Sequence, residues 1–365
     1  MAVSTIDPAG LNIGQIGGRR NLVINGAMQV AQRGTSIAQV NPGTGSFYFL
    51  DRFKSQSDLP AISFTVTQAA DAPSGTGLTN SLKITIDSAA ASFPDSAGRY
   101  FRIRHSMEGQ SVQPLIGSTC TLSFWVKSSI AGKFDVTFFA VDSSNDHYVA
   151  PYTINSANTW EKKVITFTGP DTIGNDNGLG FDVQWQIAKA GSTYQTSSTG
   201  VWGGTKLSST DSSSAIATTT GATWQITGVQ LEISPSGEPT PFEHRSYGEE
   251  LSACQRYYWR TSTIANSWYQ LGSGLVYGSG TAYTIVRLPT DMRAVPSGGY
   301  IGTASDVQII SGAQTTTCTS SPTISEASPQ SFRLDGSASG MTVGHGCFMR
   351  MGSFASNAFY CDAEL

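Results

Sequence analysis

The sequence predicts an all-β protein: a jelly-roll or β-sandwich domain over 21–245, a linking helix at 246–260 and a smaller β-sandwich domain at 261–365. Three observations lead there. Apolar residues recur at every second position in short runs, the pattern of strands with one buried face. Gly, Pro and Ser turns separate those runs, and hardly a helical window interrupts them before residue 246. The length, 365 residues, exceeds that of one ordinary domain.

In chain order, Ile62, Phe64 and Val66 alternate, as do Leu82, Ile84 and Ile86. Phe101 and Ile103 follow, then Leu122 to Val126, then Phe134, Val136, Phe138 and Ala140. Ile165 and Phe167 come next, and Phe181, Val183, Trp185 and Ile187 form the clearest run. Trp125, Trp185 and Trp224 are read as core residues rather than ligand platforms. Ser, Thr and Gly make up two-thirds of residues 191–223. That composition predicts a long loop with one docked piece at Val201-Trp202, and Tyr194, Leu207 and Ile216 as its other possible anchors.

The stretch 224–260 is read as the junction between domains. Trp224 and Ile226 share one face, whereas Val229, Leu231 and Ile233 have opposite parity, so a β-bulge is expected at Gly228. Ser246 and Glu249 are spaced as a capping box, and Leu251, Cys254 and Tyr258 follow at helical intervals. Ser246, Glu249, Leu251 and Tyr258 are therefore expected to form a joint or oligomer contact. Beyond it, strands are expected at 268–276, 282–288, 300–310, 331–334, 341–351 and 358–361, with an irregular joint between Pro289 and Pro296.

Several segments carry a resemblance. GVQLE (228–232), TPFEHR (240–245) and GEELSACQRYYWR (248–260) are similar to a segment found repeatedly in tail-fibre and other virion proteins of tailed bacteriophages. NLVINGAMQVAQRGTS (21–36) and LDRF (50–53) match its upstream half, and LPTDMRAVPS (288–297) matches the start of the usual C-terminal domain. The resemblance implies a jelly roll similar to carbohydrate-binding modules, bracketed by the first two segments. It also implies a virion location, as a tail fibre or spike with host-glycan adhesion, or alternatively a head fibre or decoration protein. A homotrimer is expected, with the aromatics Tyr257, Tyr258, Trp259, Trp268 and Tyr269 buried either between subunits or in an intramolecular core. Residues 1–20, Gly-rich and weakly apolar, are either a floppy tail or an arm that attaches to other virion proteins. Modules of this shape often place a calcium-binding acidic residue where Ala27 stands here, so no metal is assigned.

Composition narrows the chemistry. Charged residues are 13% of the chain and the net charge is −4, with no long basic run, so nucleic acid is not an expected partner. Arg102 and Arg104 are the densest basic spot and are read as a solvated face. Neither a signal peptide nor a transmembrane span is expected. The five cysteines lack CxxC spacing and are read as buried thiols. The four histidines lack metal-ligand spacing, and 142–146 is read as a hairpin turn rather than a calcium loop. Phosphate-loop and nucleophile-elbow motifs are absent, and no solenoid repeat is visible. No catalytic residue and no cofactor are assigned; a glycan-degrading enzyme remains the minority alternative.

Binding is the better candidate. Asp182, Gln184 and Gln186 share one face of the 181–187 strand, and a carboxylate with two amides suits sugar hydroxyls, which both donate and accept. The alternative is a solvated face or a subunit contact. Tyr194 and Trp202 could offer a flat apolar surface to a sugar ring, or could pin the loop to the sheet.

Overall fold

Strands form where apolar side chains alternate, because successive side chains leave opposite faces of a pleated backbone. The computed structural model describes residues 19–40, 46–59, 61–90, 99–143, 146–203, 207–211, 216–261, 268–352 and 357–365. The arm expected at 1–20 lies outside them except for Arg19 and Arg20. The chain divides into two compact units, one reaching Glu250 and one spanning Leu251–Glu364.

The first unit runs β1 (Ser36–Val40), β2 (Ser46–Tyr48), β3 (Phe53–Ser57), β4 (Ser63–Ala69), β5 (Ser81–Ser88) and β6 (Phe101–Glu108). After the one-turn helix α1 (Gly109–Val112) come β7 (Thr119–Ser128), β8 (Gly132–Ala140), β9 (Asp146–Ile154), β10 (Glu161–Thr168), β11 (Leu179–Ala188), β12 (Trp202–Gly203) and β13 (Thr223–Ile233). They form a six-stranded sheet, β1-β4-β5-β13-β7-β10, and a seven-stranded sheet, β12-β9-β8-β11-β6-β3-β2. The chain changes sheet between β1 and β2, β3 and β4, β5 and β6, β6 and β7, β7 and β8, β9 and β10, β10 and β11, and β12 and β13, which makes the sandwich a jelly roll.

The inner faces meet in one core. Phe64, Ile84, Phe101, Ile103, Phe124, Val126, Phe134, Phe138, Phe181, Trp185 and Trp224 are all fully buried there. A buried side chain of this size contributes about 1.5–3 kcal/mol. Trp185 meets Phe124 edge-on, with ring centres 6.0 Å apart. Trp185 and Trp224 are thus core residues, as expected. Trp125 is not. It stands between Phe124 and Val126 on the other face of β7 and is only partly buried. Beside it, the register of β13 on β7 shifts between Thr227 and Gln230, with Gly228 at φ +60°. A Cβ at Gly228 would lie 2.8 Å from Leu78 Cδ1 and 3.1 Å from Trp125 Cδ1, so the expected bulge requires glycine on two counts.

The segments at 21–36 and 229–250 close the sandwich as one clasp. Asn21 Nδ2 donates to Val229 O (3.0 Å), and Leu231 N donates back to Asn21 Oδ1 (3.1 Å). Asn21 N donates to Glu243 (2.9 Å), and Asn25 N to the Glu250 carboxylate (2.5 Å). Arg245 pairs with Glu250 at 3.2 Å and donates to the carbonyls of Val23 and Asn21. Asn25, at φ +62°, spends its side chain on Val30 and Asp51. Gly26 passes so close to β13 that a Cβ would sit 2.2 Å from Val229 O. No group of His, Cys, Asp or Glu that could hold a metal occurs among the described residues.

Alternation also puts a histidine inward. His105 follows Phe101 and Ile103 on β6, is fully buried, and packs edge-on to Phe53. Its Nε2 lies 3.0 Å from Ile24 O. Burial and then Arg52 push its pKa down to about 3 from 6.5. A base with a depressed folded pKa contributes stability that is present above its unfolded pKa and is lost as pH falls. As pH falls from 6.5 to about 5, unfolding free energy is therefore expected to drop with a slope that rises from about 0.7 to about 1.4 kcal/mol per pH unit. Denaturant titrations across that range check this, and a flat profile would refute it.

The second unit starts within helix α2 (Tyr247–Gln255). It continues through β14 (Tyr258–Arg260), β15 (Trp268–Gly278), β16 (Thr281–Arg287), β17 (Ser297–Ile301), β18 (Val307–Ser311), β19 (Gln314–Thr317), β20 (Ser320–Ser325), β21 (Ser331–Ser337), β22 (Gly346–Gly352) and β23 (Ala358–Asp362). A three-stranded sheet, β14-β23-β17, and a seven-stranded sheet, β19-β18-β22-β15-β16-β21-β20, share a core built around Trp259, Val276, Phe332, Met349 and Phe359. The strand expected at 358–361 forms as β23 and is the central strand of its sheet. The run expected at 300–310 is broken at Gly302 (φ +144°) and by a single 3-10 turn at Ala304–Asp306, capped reciprocally by Thr303 and Asp306.

The helix expected to reach residue 260 ends at Gln255, and the second unit starts at Leu251 rather than 261. Tyr257, Tyr258 and Trp259 are 3%, 5% and 6% exposed, so they belong to the intramolecular packing. All five cysteines are buried thiols outside any disulfide. Burial pushes Cys120 and Cys361 up to about 12, which leaves them protonated and unreactive.

Candidate functional site

The outward face of the seven-stranded sheet is polar, and its rows follow from register. Gln184 on β11 lies between Arg104 on β6 and Thr137 on β8. Gln186 lies between Arg102 and Asp135, and Asp182 between Ser106 and Phe139. His147 on β9 faces Phe139, its ring stacked at 4.3 Å.

These groups are wired together. Arg104 Nε donates to Asp182 Oδ2 (2.6 Å), and Nη2 of the same guanidinium pairs with the same oxygen. Ser106 Oγ donates to Asp182 Oδ1 (2.8 Å) and Gln184 Nε2 to Oδ2 (3.0 Å). Arg102 Nη1 donates to Gln184 Oε1 (2.8 Å), while its Nε and Nη2 reach Gln56 Oε1 at 3.0 and 2.8 Å. The Arg102 guanidinium lies 4.4 Å over the Tyr100 ring. Burial works to raise the Asp182 pKa, but Arg104, Lys54 and the Ser106 hydroxyl outweigh it and hold the carboxyl below its ordinary value. Burial, then Arg104, pushes Arg102 down to about 10.

The loop after β11 folds across this face. Thr210 N donates to Asp135 (2.9 Å), Thr137 Oγ1 donates to Ser208 O, and Ser208 N donates to Tyr194 O (2.8 Å). A cleft of about 240 Å³ remains beside it, lined by Tyr100, Arg102, Arg104, Phe139, His147, Gln184, Tyr194 and Ser208. Binding pockets for drug-sized ligands run to about 300–1,000 Å³, so this one suits a single sugar unit better than a polymer chain.

The expected residues therefore separate. Gln184 and Tyr194 line the cleft together. Asp182 and Gln186 lie beneath it, both fully buried. The face expected to be exposed is not, because the loop and the two arginines cover it. Gln184 is itself only 1% exposed. Trp202 does not reach the cleft. It pairs with Tyr148 on β9, donates from Nε1 to Thr168 O (2.8 Å) and packs on Tyr148 and Phe181, pinning the loop to the sheet. Val201, expected in the docked piece, is 55% exposed, whereas Ile216 is fully buried. Sequence reasoning missed Arg102 and Arg104 as site residues. Their parity, opposite to Phe101 and Ile103, was the available signal; the adjacency of β6 to β11 was not visible.

At the start of α2, Glu249 N donates to Ser246 Oγ (3.3 Å) and Ser246 N to Glu249 Oε2 (3.0 Å), so the capping box forms. Leu251 is partly buried. Tyr258 lies outside the helix, in β14, stacked on Tyr360 at 6.2 Å, and does not share a face with Leu251 as expected.

No protein-family model matches this chain, and no curated protein matches it. Solved structures do resemble it. A tailspike protein 4 enzymatically active domain of bacteriophage CBA120 is 13% identical, with a TM-score of 0.32 over 58% of this chain and 21% of that one. A family 16 carbohydrate-binding module is 15% identical, with a TM-score of 0.25 over 46% of this chain and 84% of that one. The family 11 carbohydrate-binding module from Clostridium thermocellum, in complex with a mixed-linked tetrasaccharide, is 11% identical, with a TM-score of 0.28 over 55% of this chain and 96% of that one.

Proposed function

We propose that this chain is a structural protein of a tailed-phage virion, a tail fibre or spike, whose jelly roll binds a host-surface glycan. The cleft on the seven-stranded sheet carries the reading. It combines amide and guanidinium donors fixed by a buried network with the rings of Tyr100, Phe139 and Tyr194, the mixture that sugar recognition requires. The similarity of 21–36, 50–53, 228–232, 240–245, 248–260 and 288–297 to phage virion segments supports the location. The chain acts by binding and not by catalysis.

Tyr194→Ala is expected to weaken glycan binding at least tenfold, with little change in melting temperature, since Tyr194 is partly exposed and sits on a loop. Gln184→Ala is a poorer probe, because it opens the buried network and lowers stability as well. Glycan-array binding of the two proteins is the test, and equal binding would sink the assignment of the cleft. Immunolabelling of intact particles separates tail from capsid surface, and absence from virions would sink the structural role.

Self-association as a homotrimer belongs to the same proposal. Trp268, Leu275, Tyr277 and Ile285 are 46%, 47%, 65% and 51% exposed on β15 and β16 of the second unit. An apolar strip of this kind favours a subunit contact. Light scattering at micromolar concentration should give three times the chain mass of 38.6 kDa, and a monomer mass would refute it.

A further inference from the structure

The cleft's charge is unbalanced, and the imbalance bears on its ligand. Its described lining holds two guanidiniums and no carboxylate. Asp182, beneath it, is committed to Arg104, Ser106 and Gln184. Arg104 is thereby neutralised. Arg102 has no carboxylate within hydrogen-bond reach: its hydrogen bonds go to Gln56 and Gln184, both neutral amides, its face rests on Tyr100, and Asp182 and Asp58 act on it only at longer range. A guanidinium carries five N–H groups. Those bonds use one each on Nε, Nη1 and Nη2, so Nη1 and Nη2 each keep one N–H among the described residues.

Resting on the glycan reading above, we propose that the cleft recognises an acidic sugar, a single unit whose carboxylate pairs with Arg102. The planar guanidinium fork matches the two oxygens of a carboxylate. A charge drawn largely out of water is costly, which is why burial, with Arg104, lowers the Arg102 pKa against the longer-range pull of Asp182 and Asp58, and a ligand carboxylate in direct contact offsets that cost. The remaining groups suit the rest of such a unit. Phe139 and Tyr194 offer apolar surface to the ring, and Gln184 and Ser208 offer polar atoms to hydroxyls. A neutral sugar can accept a hydrogen bond from the remaining N–H groups but brings no negative charge to Arg102.

The full-length chain is tested on an array carrying uronic, sialic and octulosonic acid glycans, the carboxyl-reduced form of each, sulfated and phosphorylated glycans, and neutral ones. Carboxylated glycans are expected to bind, and reduction of the carboxyl to an alcohol to weaken binding about 10- to 100-fold, the range for a hydrogen bond to a charged group. Arg102→Gln should abolish the difference between each acid and its reduced form. If Arg102→Gln lowers the melting temperature, the comparison of acid and reduced glycan on the unaltered chain still decides. Equal binding of acidic and reduced glycans overturns the inference and leaves glycan binding standing. Preference for sulfated or phosphorylated glycans over carboxylated ones also overturns it. A blank array overturns both readings.

Discussion

Asp182→Ala should lower the stability of the first unit by about 3–5 kcal/mol, the range for removing one partner of a buried ion pair. Asp182 is fully buried, and Arg104 has 11% of its side chain exposed. Truncation leaves the guanidinium with Gln56 alone and also strips an acceptor from Ser106 and Gln184. Asp182→Leu combined with Arg104→Met removes both charges and should recover much of the loss. The pH dependence has a definite sign. The folded carboxyl titrates below its ordinary range, so its contribution is present above the unfolded pKa and disappears as pH falls through the folded one. Urea titration of the single and double variants at pH 7 measures both losses. A single variant within 0.5 kcal/mol of the parent, the usual surface range, would show that the pair is not what holds this face together.

Glu250→Ala should be as severe. Glu250 is 5% exposed and accepts from Arg245 and from the backbone of Asn25. Arg245, with 7% of its side chain exposed, keeps Glu243 at 3.6 Å but loses its closer carboxylate. Breaking such a pair costs about 3–5 kcal/mol. Gly26→Ala attacks the same clasp without touching a charge, because its Cβ would meet Val229 O at 2.2 Å and backbone must move. Both variants should shift the same unfolding transition of the first unit. If both melt as the parent does, the clasp does not close the sandwich.

The sequence made the sandwich legible because its inward residues alternate without interruption, as in Phe181, Val183, Trp185 and Ile187. The bulge at Gly228 and the Ser246–Glu249 capping box were readable for the same reason: each is local. Strands β19 and β20 were not foreseen, since Gln314–Thr317 and Ser320–Ser325 have almost no apolar residues and form only by pairing with β18 and β21. The helix boundary was overrun because Tyr258 keeps helical spacing from Leu251 while its backbone is captured by β23. Half the candidate site was readable. Parity on β11 put Asp182, Gln184 and Gln186 on one face, but their burial depends on β6, some 80 residues away, and on a Ser/Thr loop docked through backbone hydrogen bonds. The clasp was not legible either, since the Asn21 side chain and the Asn25 backbone N–H find Val229 and Glu250 more than 200 residues later.

The measurement that tests the central claim most directly is a crystal structure of the chain with the tightest-binding array glycan. The account predicts one sugar unit in the cleft between β6, β11 and the loop residues Tyr194 and Ser208, touching Arg102, Gln184 and Tyr194. A glycan bound on the six-stranded sheet or on the second unit, with that cleft empty, would contradict it.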